Sequence, residues 1–325
     1  MVKTKPCFIL ILSMLSVLFL GSCTNKTTDQ PSLNIAYQYG IAYAPLIICQ
    51  QNEYIEKCYK EATGHDISVN WTQMSSGADI NTAIASNNIN VGFMGIAPAI
   101  SGISNNVGYK IFTNLSGQKN GLMTSNPDIN SLEDLISSEN QIALVNIGSI
   151  QHIILAKALY DNGYNAHLLD SYIVAMKHPD GMNSLESGAV SFHLTTNPYI
   201  SKEALNPSLH EITEISDAWS ESNSFIVGVA SNSLNVNNPE LYAAICEAIQ
   251  KSIDYINDNP EDAAKITCEF NGNTYEEEYQ YLIEGNYCSE TNGIFELAAF
   301  MYDNNFIDRK IDSYDMLVFN DVSGN

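Results

Sequence analysis

Positive charge is what this sequence has least of. Fourteen Lys and Arg stand against 37 Asp and Glu in 325 residues, a formal charge of −23. A field of that sign repels phosphate backbones and anionic lipid surfaces, so nucleic acid is not expected as a partner. Charged residues of both signs together make up only 16%, so the surface must be polar through Asn, Ser and Tyr. The seven cysteines never fall as Cys-x-x-Cys, and no His stands at metal-ligand spacing from them. That leaves no zinc or dithiol motif, and neither a metal nor a cofactor is expected. Gly-x-Ser-x-Gly and His-Glu-x-x-His are also missing, which removes two common hydrolase signatures. The apolar run Phe8 to Leu20 is too short to span a bilayer as a mature helix.

That run follows Lys3 and Lys5 and ends Leu20-Gly21-Ser22-Cys23. Basic region, apolar region and cysteine stand in the order of a bacterial lipobox, which the segment resembles. The resemblance implies that residues 1–22 are a lipoprotein signal peptide, that Cys23 carries a diacylglycerol, and that the mature protein is held on the extracytoplasmic face of the cell membrane. Residues 23–32 are polar with Pro31 and read as a tether. Setting aside Cys7 and Cys23 leaves Cys49, Cys58, Cys246, Cys268 and Cys288. An odd number in an exported chain argues against a full disulfide framework. These five read as small core hydrophobes, with their redox state open.

The body of the chain alternates strands and helices. The stretch Ile89–Ile100, Ile-Asn-Val-Gly-Phe-Met-Gly-Ile-Ala-Pro-Ala-Ile, predicts a buried strand to Met94, a turn at Gly95 and a helix with Pro98 in its first turn. Free N–H groups at Ile96 and Ala97 are expected beyond the strand, where open α/β sheets bind ligands. Gln141–Asn146 predicts a second strand, running through Gly148-Ser149 into a helix from Ile150 to Asp161. This repeats the device of strand, glycine, hydroxyl residue and helix start. Leu33–Tyr37 predicts the first strand. It is followed by Tyr39-Gly40-Ile41-Ala42-Tyr43 and a helix running to Ile55. Tyr39 and Tyr43 are placed either to touch a ligand or to pack on a neighbouring lobe. Ser76-Gly77 opens a helix with Ile80, Ala83 and Ile84 on one face.

Two segments about a hundred residues apart share one pattern. Ile89-Asn90-Val91 corresponds to Val190-Ser191-Phe192, each between a helix and a polar turn that leads to proline, the second through Thr195-Thr196-Asn197-Pro198. This predicts two α/β lobes of like construction. Strands are also expected over Ser171–Met176, Ala189–Leu194, Glu211–Ile215 and Phe225–Ala230, with a helix around Met182–Ser187. The last of these strands returns the chain to the first lobe, and the remainder is helical from Pro239.

Ordered along the chain, Tyr37–Pro45, Ser76-Gly77, Asn90–Gly95 with Ala97-Pro98-Ala99, Ile129–Leu135, Gly148–His152, Leu185–Phe192 and Tyr255–Pro260 resemble the nitrate/sulfonate/taurine-type substrate-binding proteins of ABC importers. The resemblance covers most of the mature chain. It implies a type II periplasmic-binding-protein fold, with two α/β lobes joined by a two-strand hinge. One lobe takes 33–117 plus 222–325 and the other 118–221. By position, the solute would touch Tyr39, Gly40, Ile41, Ala42 and Tyr43; Ser76 and Gly77; Gly95, Ile96 and Ala97; Gly148, Ser149, Gln151 and His152; and Asn197. The implied partners are a small solute and the permease and ATPase of an importer. The family usually has Asp where this chain has Asn90 and Ser191. No Lys or Arg stands at the matched positions, with Lys119 and Lys177 the nearest. Neutral donors are therefore expected to hold a sulfonate, a carboxylate or a small heterocycle. Two alternatives share the fold. One is an exported ligand sensor. The other is a pyrimidine-synthesising enzyme, which would use an active-site His and an iron-binding Cys cluster that this sequence lacks.

Overall fold

The computed structural model describes residues 31–325. The expected signal peptide, Cys23 and most of the tether lie outside them. Ser32, the last residue of that tether, is instead the first of β1 and sits in register with Ser68.

The strands are β1 (Ser32–Tyr37), β2 (Ser68–Gln73), β3 (Val91–Gly95), β4 (Tyr109–Ser116), β5 (Asn120–Thr124), β6 (Ile142–Leu144), β7 (Ile173–Ala175), β8 (Phe192–Thr196), β9 (His210–Ile212) and β10 (Ile226–Ser231). They form two five-stranded sheets, ordered β2-β1-β3-β10-β4 and β7-β6-β8-β5-β9. The wiring is the same in both. A central strand, β1 or β6, pairs in parallel with two neighbours. One antiparallel strand, β10 or β5, joins the third parallel strand to the sheet edge. That strand is the one arriving from the other sheet. Val91 of β3 pairs with Ile35 and Phe192 of β8 pairs with Ile142, so the expected correspondence of Val91 with Phe192 holds. β3 and β8 are buried along their whole length, as strands covered on both faces must be.

The helices are α1 (Ala44–Gln51), α2 (Tyr54–Thr63), α3 (Gly77–Ala85), α4 (Ile96–Ser104), α5 (Leu132–Ser138), α6 (Ile150–Asp161), α7 (His178–Glu186), α8 (Tyr199–Ala204), α9 (Thr213–Asp217), α10 (Asn232–Asn237), α11 (Pro239–Asp258), α12 (Pro260–Asn271), α13 (Tyr275–Glu284) and α14 (Ile294–Asp303). Leu241, Ile245, Ile249, Ile253 and Ile256 form the buried stripe of α11, at the spacing of one helical face. Among the described residues no helix is long and apolar enough to cross a membrane.

The chain passes between the sheets twice, after β4 and before β10, and the two passages touch. The Phe225 N–H donates to the Ser116 carbonyl. At Gly117 any Cβ would collide with the Glu221 carbonyl oxygen, so glycine lets the two backbones lie against each other.

Several boundaries differ from the sequence expectation. The helix expected to reach Ile55 is broken, because Glu53 takes a left-handed φ of 51° and starts α2 in a new direction. β8 begins at Phe192 rather than Ala189, because the Ala189 and Val190 N–H groups both bond back to the Ser184 carbonyl and close the end of α7. The expected strand Glu211–Ile215 is β9 followed by α9, and α8 is the helix that begins after Pro198. The five described cysteines are all free.

Candidate functional site

A cavity opens where the two sheets end against each other. The carboxyl ends of β1, β3, β6 and β8 and the amino end of β10 reach it, which is where open α/β sheets take ligands. Its volume is about 70 Å³, room for roughly five waters or a solute of similar size. A wider outer chamber shares Gln38, Tyr39, Val145, His178 and Tyr199 with it and adds Ser75, Lys177 and Pro179.

The turn after β1 forms one side. Gly40 has φ 115° and ψ 169°, a region that only glycine occupies without strain. It carries the chain from Tyr39, whose ring is 58% exposed at the mouth, into a 3-10 turn over Ile41–Tyr43. The Tyr43 hydroxyl donates to Gln38 Oε1 at 3.1 Å, and burial pushes its pKa up, keeping it neutral.

The β3–α4 turn brings Gly95 to the wall, but of the two amides expected to be free only that of Ala97 has no partner among the described residues. The Ile96 N–H donates to the Phe225 carbonyl at 3.0 Å, and Pro98 has no N–H to give. Ile96 and Ala97 are fully buried behind the wall.

The β6–α6 turn does face the cavity with donors. Gly148, at φ 81°, turns the chain so that its N–H donates to His152 Nδ1 at 3.0 Å. Ser149 caps α6 by accepting from the His152 N–H. The N–H groups of Ile150 and Gln151 have no partner among the described residues and open at a helix start that lines the cavity. His152 itself is withdrawn. Its Nε2 bonds Asp170 Oδ1 at 2.9 Å, so the ring locks the turn from behind and does not reach solute.

Of the residues expected at the site, Tyr39, Gly40, Ala42, Tyr43, Gly77, Gly95, Ser149, Gln151 and Asn197 line this cavity. Ile41, Ser76, Ile96, Ala97, Gly148 and His152 do not. The Ile41 carbonyl is taken by the Tyr287 hydroxyl, and Ser76 is spent capping α3 on the Asp79 N–H. Asn197 reaches the wall, yet its amide bonds Glu284 and Ser201. Sequence reasoning missed Gln38, Asn146, Thr196, Tyr199 and, above all, His178. The signal for His178 was present as a helix start ahead of Pro179, just past a strand.

His178 lies with its ring 5.5 Å from that of Tyr199 and its Nε2 3.2 Å from Gln151. Burial, and then His193 beside it, push its pKa down to about 3, so it is neutral. The inner cavity is therefore lined without a formal charge. Lys177 stands at the outer chamber, while Lys119 is paired with Glu211 at 2.9 Å. Among the described residues no group of three or more His, Cys, Asp or Glu is placed to hold a metal.

Comparison with solved structures identifies the fold. The alkanesulfonate-binding protein SsuA of Xanthomonas axonopodis pv. citri, bound to MOPS, matches with a TM-score of 0.72 at 15% identity, over 91% of this chain and 99% of that one. The periplasmic aliphatic sulphonate binding protein SsuA of Escherichia coli matches at 0.69 and 15%, over 90% and 93%. A putative periplasmic sulfonate-binding SsuA of Methylobacillus flagellatus KT matches at 0.65 and 17%, over 89% and 92%. The expected periplasmic-binding-protein fold is thus shown. No curated protein matches the sequence. A family model described as the NMT1-like family matches residues 26–270, and on that span the chain belongs to the NMT1-like family.

Proposed function

We propose that the protein is an extracytoplasmic solute-binding lipoprotein. It captures a small solute between its lobes and delivers it to an ABC import permease. The observation that carries this reading is the uncharged cavity at the meeting ends of the two sheets. The lobes are drawn at 33–117 plus 222–325 and at 118–221, in keeping with which sheet each strand joins.

The wall favours a solute with acceptor oxygens. The Ile150 and Gln151 amides, the Ser149 hydroxyl and the Gln151 side chain can all donate. Neutral donors stabilise an oxyanion without a buried counter-ion, as helix starts do. Solute binding would bridge the lobes and shift the hinge equilibrium by its differential affinity for the closed form. The named neighbours bind sulfonates, which makes a small sulfonate the first solute to test, ahead of carboxylates, nitrate and pyrimidines. The protein is read as a binder and not an enzyme. In support, the solved structures it resembles are binding proteins.

Thermal unfolding of the protein with each solute class tests the proposal. A solute present at 100 times its Kd adds about 2.7 kcal/mol. Failure of every class to raise the transition sinks the binding reading. Anchoring through Cys23 predicts that Cys23→Ala moves the protein from the membrane fraction to the soluble one.

A further inference from the structure

Behind the cavity wall runs a line of hydrogen-bonding groups that solute capture alone does not require. Glu203 on α8 and His193 on β8 are both fully buried, with Glu203 Oε1 2.5 Å from His193 Nδ1. His193 Nε2 lies 3.1 Å from His178 Nδ1, and at the cavity His178 Nε2 lies 3.2 Å from Gln151 Nε2, an amide whose nitrogen and oxygen exchange places by a flip of the side chain. Gly181 of α7 makes room for the line, since a Cβ there would sit 2.6 Å from His193 Nε2.

A neutral imidazole carries one ring proton, so the line has only two polarities. With a proton on Glu203, the acid donates to His193 Nδ1 and His193 Nε2–H donates to His178 Nδ1. His178 then shows an N–H donor at Nε2 to the cavity, and the Gln151 amide must turn its nitrogen away from that ring and toward the solute. With Glu203 ionised every bond reverses, and His178 shows a bare acceptor nitrogen. The second carboxyl oxygen decides between them. Glu203 Oε2 is buried with no partner. A charged oxygen left so is costly, whereas the carbonyl oxygen of an acid is much less so.

The surrounding groups agree. Glu186 faces Glu203 from α7, the α7 residue His178 is neutral, and His193 faces it from β8. From β9, Glu211 is held by Lys119. On α8 itself, Tyr199 lies along His178 and Lys202 is bonded to Asn273. None of them sets a cation on Oε2.

We propose that protonated Glu203, acting through His193, fixes His178 in the tautomer that offers Nε2–H to the cavity. The site thereby selects a solute with an acceptor oxygen at that point and loses the selection when Glu203 ionises. The functional part rests on the cavity being the solute site; the tautomer assignment does not. Burial, with the Glu186 charge added, pushes the Glu203 pKa up to about 8. Burial also pushes the His193 pKa down to about 3. The line therefore stays neutral across the intervening range.

The test is histidine-selective 15N labelling of the protein, with two-bond proton–nitrogen correlation spectra over a pH series. The peaks are assigned with His178→Gln and His193→Gln. At pH 6.5 both rings should be Nε2–H, and both should convert to Nδ1–H with one shared midpoint near pH 8. In Glu203→Gln the amide NH2 donates to His193 Nδ1, so both rings should keep Nε2–H at every pH. Three results overturn the proposal: Nδ1–H rings in the wild type at pH 6.5, no conversion up to pH 10, or a Glu203→Gln chain that converts like the wild type. The wild-type series decides even where the variant folds poorly. It needs no solute, so it stands or falls apart from the transport reading.

Discussion

The two sides of the cavity are built to one plan and do different work. The side from the first sheet is largely shape. Gly40, Ala42, Gly77, Gly95, Pro98, Phe225 and Ile226 bring backbone and apolar surface close, and at the start of α4 the Ile96 donor is taken by the Phe225 carbonyl. The side from the second sheet is chemistry. Asn146, Ser149, Gln151, His178 and Thr196 supply polar atoms, and its helix start is open. The difference is one of position: β3 lies beside the incoming antiparallel strand and β6 does not. In the first sheet the incoming antiparallel strand brings Phe225 against the turn and consumes its donor. In the second, the turn after β6 lies on the far side of β8 from β5 and keeps its donors.

The largest expected effect removes the chemical side. Ser149→Ala combined with Gln151→Ala should weaken solute binding by about 2–3 kcal/mol, at roughly 1 kcal/mol for each lost neutral hydrogen bond and more where a buried partner is stranded. Loss of the Ser149 cap should lower the unliganded stability by about 1 kcal/mol, separable by melting the two forms. Binding that survives the pair would place the solute on the first side and undo the contrast.

Next in size is a pH effect that only the second side should show. Glu203 is protonated when folded up to about pH 8 and ionised when unfolded above about 4.5. Folding thus takes up a proton in that window, and stability falls as pH rises through it. Between pH 6.5 and 8 the loss is about 2 kcal/mol, at 1.36 kcal/mol per unit. Glu203→Gln should not show it. Urea unfolding of both chains at the two pH values measures the difference, and parallel curves would mean that Glu203 is ionised at neutral pH.

How much of this was legible in the sequence follows the same division. The repeat of strand, glycine and helix shows both turns, and the shared pattern alone pairs Val91 with Phe192. Those signals are local and periodic. What sealed one turn and not the other was not local. Phe225, which closes the Ile96 amide, stands far along the chain, and no spacing near Gly95 announces it. His152 is expected at the solute only by its position in the family resemblance, while its place in the first turn of a helix suits a capping residue. Its ring is drawn back by Asp170, which comes from a separate loop and also bonds His167 at 2.7 Å. The His178–His193–Glu203 line was invisible for the same reason, since its members sit on three elements whose packing alone aligns them.

A smaller effect probes shape on the first side. A Cβ at Gly95 would lie 3.1 Å from Ile150 Cγ2, across the gap between the two turns. That is tight, so Ile150 and the α6 start must give way by a few tenths of an ångström. Gly95→Ala should weaken binding by about 1 kcal/mol while leaving the pH dependence of stability unchanged. A changed pH profile would mean that the two sides are not separable.

The smallest effect is expected at Tyr39, a polar residue that the first side places at the mouth beside Gln38. Its ring is more than half exposed, so little apolar area is left for a solute to cover, and its hydroxyl has no partner among the described residues. Tyr39→Ala should cost less than about 1 kcal/mol in affinity, seen as faster release in stopped-flow displacement and not as slower capture. The rim is crossed on the way out, and related binding sites differ mainly in off-rate. A loss as large as that from the Ser149–Gln151 pair would show the first side choosing its solute by contact. The division of labour between the two sheets would then have to be redrawn with Tyr39 on the chemical side.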